Sequence, residues 1–231
     1  MKSLLLILTI GGLSITLANA QNTEKRNVGT YDGIHITGSY EVTLVSGSEG
    51  TLILKGDSDD LEKIDTDVKK GTLIIKQKEK SWLGNWNSGK VYITIPVEDI
   101  NKVFLSGSGE IIADFPLEGD HFKTILSGSG EIILNLDVTA VNGTVTGSGD
   151  ITLTGKASKV NFNVTGSGDI EADGIKADTA EARVTGSGDI VMYAKQTLNG
   201  YITGSGDIIC KGNPRKQKTK VTGSGEIIVQ N

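Results

Sequence analysis

The chain of 231 residues is short of several things at once: it holds one Cys, three Pro, two His and two Trp. A single thiol, Cys210, cannot close an intrachain disulfide, so stability has to come from the fold itself. With only His35 and His121, no G-x-S-x-G elbow and no helical pattern after its glycines, the chain offers neither a hydrolase triad nor a phosphate-cradling loop. The balance of 23 Lys and Arg against 28 Asp and Glu gives a net charge of −5. Without a basic tract, that balance argues against a nucleic-acid partner. Past Ala20 no apolar run is long enough for a transmembrane helix. What the chain has in excess is glycine, 31 residues, about twice the usual share.

The first residues read as an address. One positive charge in Met1-Lys2-Ser3 precedes the apolar run Leu4 to Ile10, and the segment closes with Ala18-Asn19-Ala20. That order is a signal peptide over residues 1–20, which makes the protein exported: periplasmic, outer-surface or secreted. Residues 21–27 read as a disordered linker, and residues 28–231 as a single β-solenoid domain.

A repeat dominates that domain. Gly-Ser-Gly followed by Asp or Glu and then Ile occurs seven times, its first glycine at Gly107, Gly128, Gly147, Gly166, Gly186, Gly204 and Gly223, with spacings of 21, 19, 19, 20, 18 and 19. Such a period signals stacked units that bury their apolar faces only against each other. Around each copy, apolar and polar residues alternate as in a half-buried strand. Leu105, Leu126, Val145, Val164, Val184, Ile202 and Val221 precede the motif; Ile111, Ile132, Ile151, Ile170, Ile190, Ile208 and Ile227 follow its acid. A third inward column of mixed volume runs from Ala113 through Leu134, Leu153, Ala172, Met192 and Cys210 to Val229. A second strand per repeat lies upstream, as in Val160-x-Phe162-x-Val164, with turns at Gly155, Gly174 and Gly212. These patterns predict an all-β, parallel β-helix with rungs of about 19 residues. The two glycines of each motif suit a bend in which backbones approach closely, and Ser and Thr side chains can form hydroxyl ladders up the stack.

Residues 28–105 are β-rich but less regular than the seven rungs of residues 106–231. Tyr40 to Val45, Thr51 to Leu54, Thr72 to Ile75 and Val91 to Ile95 read as strands. Thr37-Gly38-Ser39-Tyr40-Glu41-Val42 is a degenerate eighth motif with Tyr40 in place of the second glycine, and insertions are expected around Leu61 and Trp82.

This layout, Ile36 to Val42, then Lys70-Gly71-Thr72-Leu73-Ile74-Ile75, then Val91 to Pro96, then the repeated Gly-Ser-Gly-Asp/Glu-Ile, resembles the putative auto-transporter adhesin, head GIN domain family of exported Bacteroidetes proteins. The resemblance covers essentially the whole chain after the signal peptide and implies a β-helical fold and an adhesive role.

Three features carry candidate chemistry. The acidic column Glu110, Glu131, Asp150, Asp169, Asp189, Asp207 and Glu226 stacks like charges that must be screened, hydrogen-bonded or bridged by a cation, for which calcium is the suitable metal. The alternative is a solvated acidic edge, and no other cofactor is expected. Trp82 and Trp86 form a candidate ligand-binding pair in a polar loop, able to stack on a sugar or anchor a protein; packing into the solenoid is the alternative. The final motif ends close to Asn231, which suggests docking of the last rung on another copy or on a partner. Because an active site is singular and these acids are repeated, the reading is a non-catalytic adhesion or binding module of the cell envelope. Its partner is a surface glycan or protein, and its rival is a carbohydrate-active β-helix.

Overall fold

A computed structural model describes residues 22–78 and 89–230. Their core is a stack in which each Gly-Ser-Gly corner joins an approach strand, before the motif, to an exit strand, after it. After β8 (Lys102–Gly107) the chain turns the first corner into β9 (Glu110–Gly128), then β10 (Glu131–Gly147), β11 (Asp150–Lys156), β12 (Lys159–Gly166), β13 (Ile170–Gly186), β14 (Ile190–Gly204), β15 (Ile208–Lys211), β16 (Lys216–Gly223) and β17 (Ile227–Gln230). All pair in parallel, and the register keeps Ile on Ile: Ile111 on Ile132, Ile132 on Ile151, and onward to Ile208 on Ile227. The long strands bend without a break, so Gly174, expected in a turn, lies inside β13.

Alternation sends every second side chain inward, and the in-register stack turns each alternation into a column. The motif isoleucines from Ile111 to Ile208 are 0% exposed, each worth about 2 kcal/mol of burial. Large and small residues interlock between rungs. A Cβ at Gly143 would lie 2.9 Å from the Phe162 ring of the next rung, which fills that space instead. Cys210 is buried in the third column and its thiol is pushed up in pKa by burial, as an inert core residue requires.

The eighth motif takes its place in the stack. In β2 (Gly33–Thr37) and β3 (Glu41–Ser46), Thr37 pairs with Ser106 and Glu41 with Glu110. On their other side lie β6 (Thr72–Gln77) and β7 (Tyr92–Val97), again parallel. Beyond these the pairing turns antiparallel: β4 (Thr51–Gly56) on β7, and β5 (Ile64–Lys69) on β6. A five-residue helix, α1 (Ser58–Glu62), buries Leu61 at this end. Residues 22–27, within the stretch expected to be a disordered linker, are ordered instead. Asn22–Asn27 form β1, antiparallel to β4. The strand has no apolar side chain to announce it; Arg26 holds it, donating to the carbonyls of Leu61 (2.6 Å) and Ile64 (2.8 Å). The antiparallel strands close one end of the stack, where an open parallel edge would expose unpaired backbone groups.

Candidate functional site

The corner that carries the acids is built from glycine by necessity. The first glycine of each motif has φ between +122° and +135°, a region side chains resist. The second glycine has no such φ, yet a Cβ there would sit 2.0–2.5 Å from a backbone oxygen of the preceding rung. From Ser129 onward this close stacking lets each motif Ser N–H donate to the first glycine carbonyl below it, as in Ser148 to Gly128 (2.9 Å) and Ser187 to Gly166 (2.8 Å). Backbone does the bridging: among the described residues no hydrogen bond links one motif hydroxyl to the next, so the expected Ser and Thr ladder is replaced.

The acids divide into two kinds. From Asp150 onward each Asp carboxylate accepts the backbone N–H of the acid one rung on: Asp169 to Asp150 at 3.0 Å, and Asp189 to Asp169, Asp207 to Asp189 and Glu226 to Asp207 at 2.7 Å. Where a Glu stands below, the same N–H instead finds backbone: Glu131 donates to Gly109 (2.9 Å) and Asp150 to Gly130 (3.0 Å). The extra methylene of Glu carries its carboxylate past the donor. Charge-assisted bonds of this kind are short and comparatively strong, and they offset the repulsion of stacked carboxylates. Among the described residues no three His, Cys, Asp or Glu side chains converge as a metal site requires.

The Glu corners border an open groove of about 680 Å³. Glu41, Glu110, Glu131 and Asp150 line it with the hydroxyl-bearing Ser39, Ser108 and Ser129, and Tyr40 and Lys90 stand at its N-terminal end. Tyr40 is half-buried, its ring lying back across Gly38, and burial raises the pKa of its phenol. Lys90 pairs with Glu41 at 2.5 Å, and that hydrogen bond raises the ammonium's pKa. The structure thus brings Glu110, Glu131 and Asp150 into one groove, gives Asp150, Asp169, Asp189 and Asp207 to the ladder, so that Asp150 belongs to both, and leaves Glu226 exposed on the last coil. Trp82 and Trp86 lie outside the described residues, as does the signal peptide. Sequence reasoning found Tyr40 only as a departure from the motif; that it stands where glycine does everywhere else was the available signal.

In-register parallel rungs joined at Gly-Ser-Gly corners define a β-solenoid whose acids form a column, not a single converging centre. The chain belongs to the family described as putative auto-transporter adhesin, head GIN domain, whose model matches residues 30–214. It is similar to a putative adhesin from Bacteroides fragilis, with a TM-score of 0.82 at 25% identity over 92% of this chain and 98% of that one. A structure described as a putative lipid binding protein from Parabacteroides distasonis superposes with a TM-score of 0.76 at 27% identity, again over 92% and 98%. A putative adhesin from Parabacteroides merdae shares the fold, with a TM-score of 0.71 at 20% identity over the same shares. No curated relative matches the chain. The family and these neighbours support an adhesion or binding module, and among the described residues no helix is long and apolar enough to cross a membrane.

Proposed function

We propose that the chain is an exported, non-catalytic adhesion module of the bacterial cell envelope that binds a hydroxyl-rich ligand, a surface glycan, in the corner groove. The observation that carries this reading is the groove itself. Its carboxylates at Glu110 and Glu131 are free of the backbone bonds that occupy the Asp side chains, and they stand beside serine hydroxyls and a tyrosine ring. Carboxylates accept hydrogen bonds from sugar hydroxyls, and an aromatic ring packs on the apolar face of a sugar. The signal-peptide pattern of residues 1–20 supports export.

The test is a glycan-array assay on residues 21–231, with calcium and with chelator. The expected result is binding of a saccharide, weakened at least about tenfold by Tyr40→Ala and by the Glu110→Gln, Glu131→Gln double variant. Absence of binding under both conditions overturns the glycan reading. Loss of binding in a Trp82→Ala, Trp86→Ala variant while Tyr40→Ala binds normally moves the site to residues 79–88. Release of a shortened glycan contradicts the non-catalytic reading.

A further inference from the structure

We propose that the outward face of the last four approach strands, β12, β13, β14 and β16, binds an acidic polysaccharide, a hydroxyl-rich chain that bears carboxylates or sulfates. The overall net charge conceals this face. The whole chain is at −5, yet from Lys211 onward five Lys and Arg stand against one acid, Glu226.

The register shows where the cations go. One outward column starts apolar, with Phe104 on β8 and Ile125 on β9, and toward the C-terminus it becomes Asn163, Arg183, Tyr201 and Lys220. Two further outward columns, ending in Lys216 and Lys218, hold only Thr, Asn, Lys and one Glu over the last four approach strands, and a fourth is Thr throughout. Strands about 4.8 Å apart, with outward residues about 6.7 Å apart along each, make a face of about 14 Å by about 20 Å. That extent suits an extended polymer. All of its residues project sideways from the stack, so their exposure is set by alternation along the strand and not by what lies beyond the last coil.

The face is cationic and organised. Its one acid, Glu181, is paired with Arg183 at 2.9 Å, while among the described residues Lys159, Lys216, Lys218 and Lys220 make no ion pair. Asp178, at the edge, accepts the Gln196 amide (3.2 Å). The Arg183 guanidinium also lies over the Tyr201 ring, 4.7 Å from its centroid, and so fixes the ring among the lysines. Beside them the Asn163 amide donates to Asn161 (3.4 Å).

This combination selects its partner. Ammonium groups attract carboxylates and sulfates, the Asn amides and Thr hydroxyls can donate to and accept from sugar hydroxyls, and Tyr201 offers an aromatic surface. A bilayer would need aliphatic groups to enter its acyl boundary, and the outward positions of these four strands hold none. A protein partner would need an apolar centre, and Tyr201 alone does not supply one. The acidic corners repel a polyanion and steer it to this face. The proposal does not rest on the corner groove, which uses other residues.

The experiment measures binding of the mature chain to immobilised polygalacturonate, dextran sulfate, uncharged dextran and polyacrylate, the last a carboxylate polymer without sugar hydroxyls. It is run at about 50 and about 500 mM salt, where screening differs strongly. The expected result is binding to an acidic polysaccharide, weaker binding to polyacrylate and none to dextran, with a strong loss at the higher salt. Whichever of polygalacturonate and dextran sulfate binds more tightly assigns the anion. A Lys216→Gln, Lys218→Gln, Lys220→Gln variant weakens binding at least about tenfold, with an unchanged melting temperature, and Tyr201→Ala weakens it about fivefold. Lys156→Gln, whose lysine is paired with Asp137 away from this face, and Tyr40→Ala, in the corner groove, leave it as it was. The proposal is overturned if neither acidic polysaccharide binds, if polyacrylate binds as tightly as the preferred polysaccharide, or if the triple variant binds normally. Tighter binding to phosphatidylglycerol vesicles than to any of the polymers also overturns it and assigns the lysine row to a membrane.

Discussion

The corners with Glu and the corners with Asp share one motif and one register, yet they are bonded differently. At Glu110 and Glu131 the acid belongs to the exit strand, and the N–H above it goes to a glycine carbonyl. From Asp169 on, the strand begins one residue later, at the Ile, and the acid N–H goes to the carboxylate below. The corner also tightens: the clearance for a Cβ at the second glycine falls from 2.4 Å at Gly130 to 2.0 Å at Gly188 and Gly206. One methylene decides whether a carboxylate is structural or available. The Asp half of the column is a mechanical part of the solenoid, and the Glu half, free of those bonds, is where the proposed ligand site lies.

The strongest way to probe this difference is through the glycines. Gly188→Ala drives a methyl into the Gly168 carbonyl at 2.0 Å and should cost about 4 kcal/mol or prevent folding. Gly130→Ala, with 2.4 Å to Gly109, should cost measurably less, and Gly29→Ala, with nothing within 4 Å, close to nothing. Urea unfolding of the three variants gives the order. An equal loss at Gly188 and Gly130 would break the distinction between tight and loose corners.

The looser half also carries a defect in its core. Thr124, on β9, is 0% exposed and its hydroxyl has no hydrogen-bond partner. Thr124→Val removes the orphaned group and should stabilise the protein by about 1 kcal/mol, read as a higher urea midpoint at unchanged slope.

A smaller effect tests the outer face of the same half. His35 stacks on Phe104 at 4.2 Å between centroids, and burial, reinforced by Lys102, holds its pKa below the ordinary 6.5. The unfolded chain binds the proton more readily, so this contribution is complete above about pH 6.5 and is lost as pH falls toward the folded value. The His35→Phe variant should therefore melt with a shallower dependence between about pH 7 and 5. An unchanged slope would remove His35 from the account.

Much of the stack was legible in the residues. Seven motifs at near-constant spacing, strict Ile columns and the Tyr40 variant sufficed for the rungs, because inward positions in a solenoid repeat in register. The antiparallel end was not legible: β1 is polar throughout, and its hold lies in Arg26 reaching carbonyls 35 and 38 residues away. The Asp and Glu choices were visible as letters, but their meaning needed the distance between rungs.

The most direct measurement compares Asp189→Ala with Glu131→Ala in equilibrium unfolding. The account predicts a loss of about 1–3 kcal/mol for Asp189, because the Asp207 N–H is left without its acceptor. For Glu131, which accepts no backbone donor from the next rung, it predicts less than about 0.5 kcal/mol. Equal losses would contradict the division of the acidic column into a ladder and a binding surface.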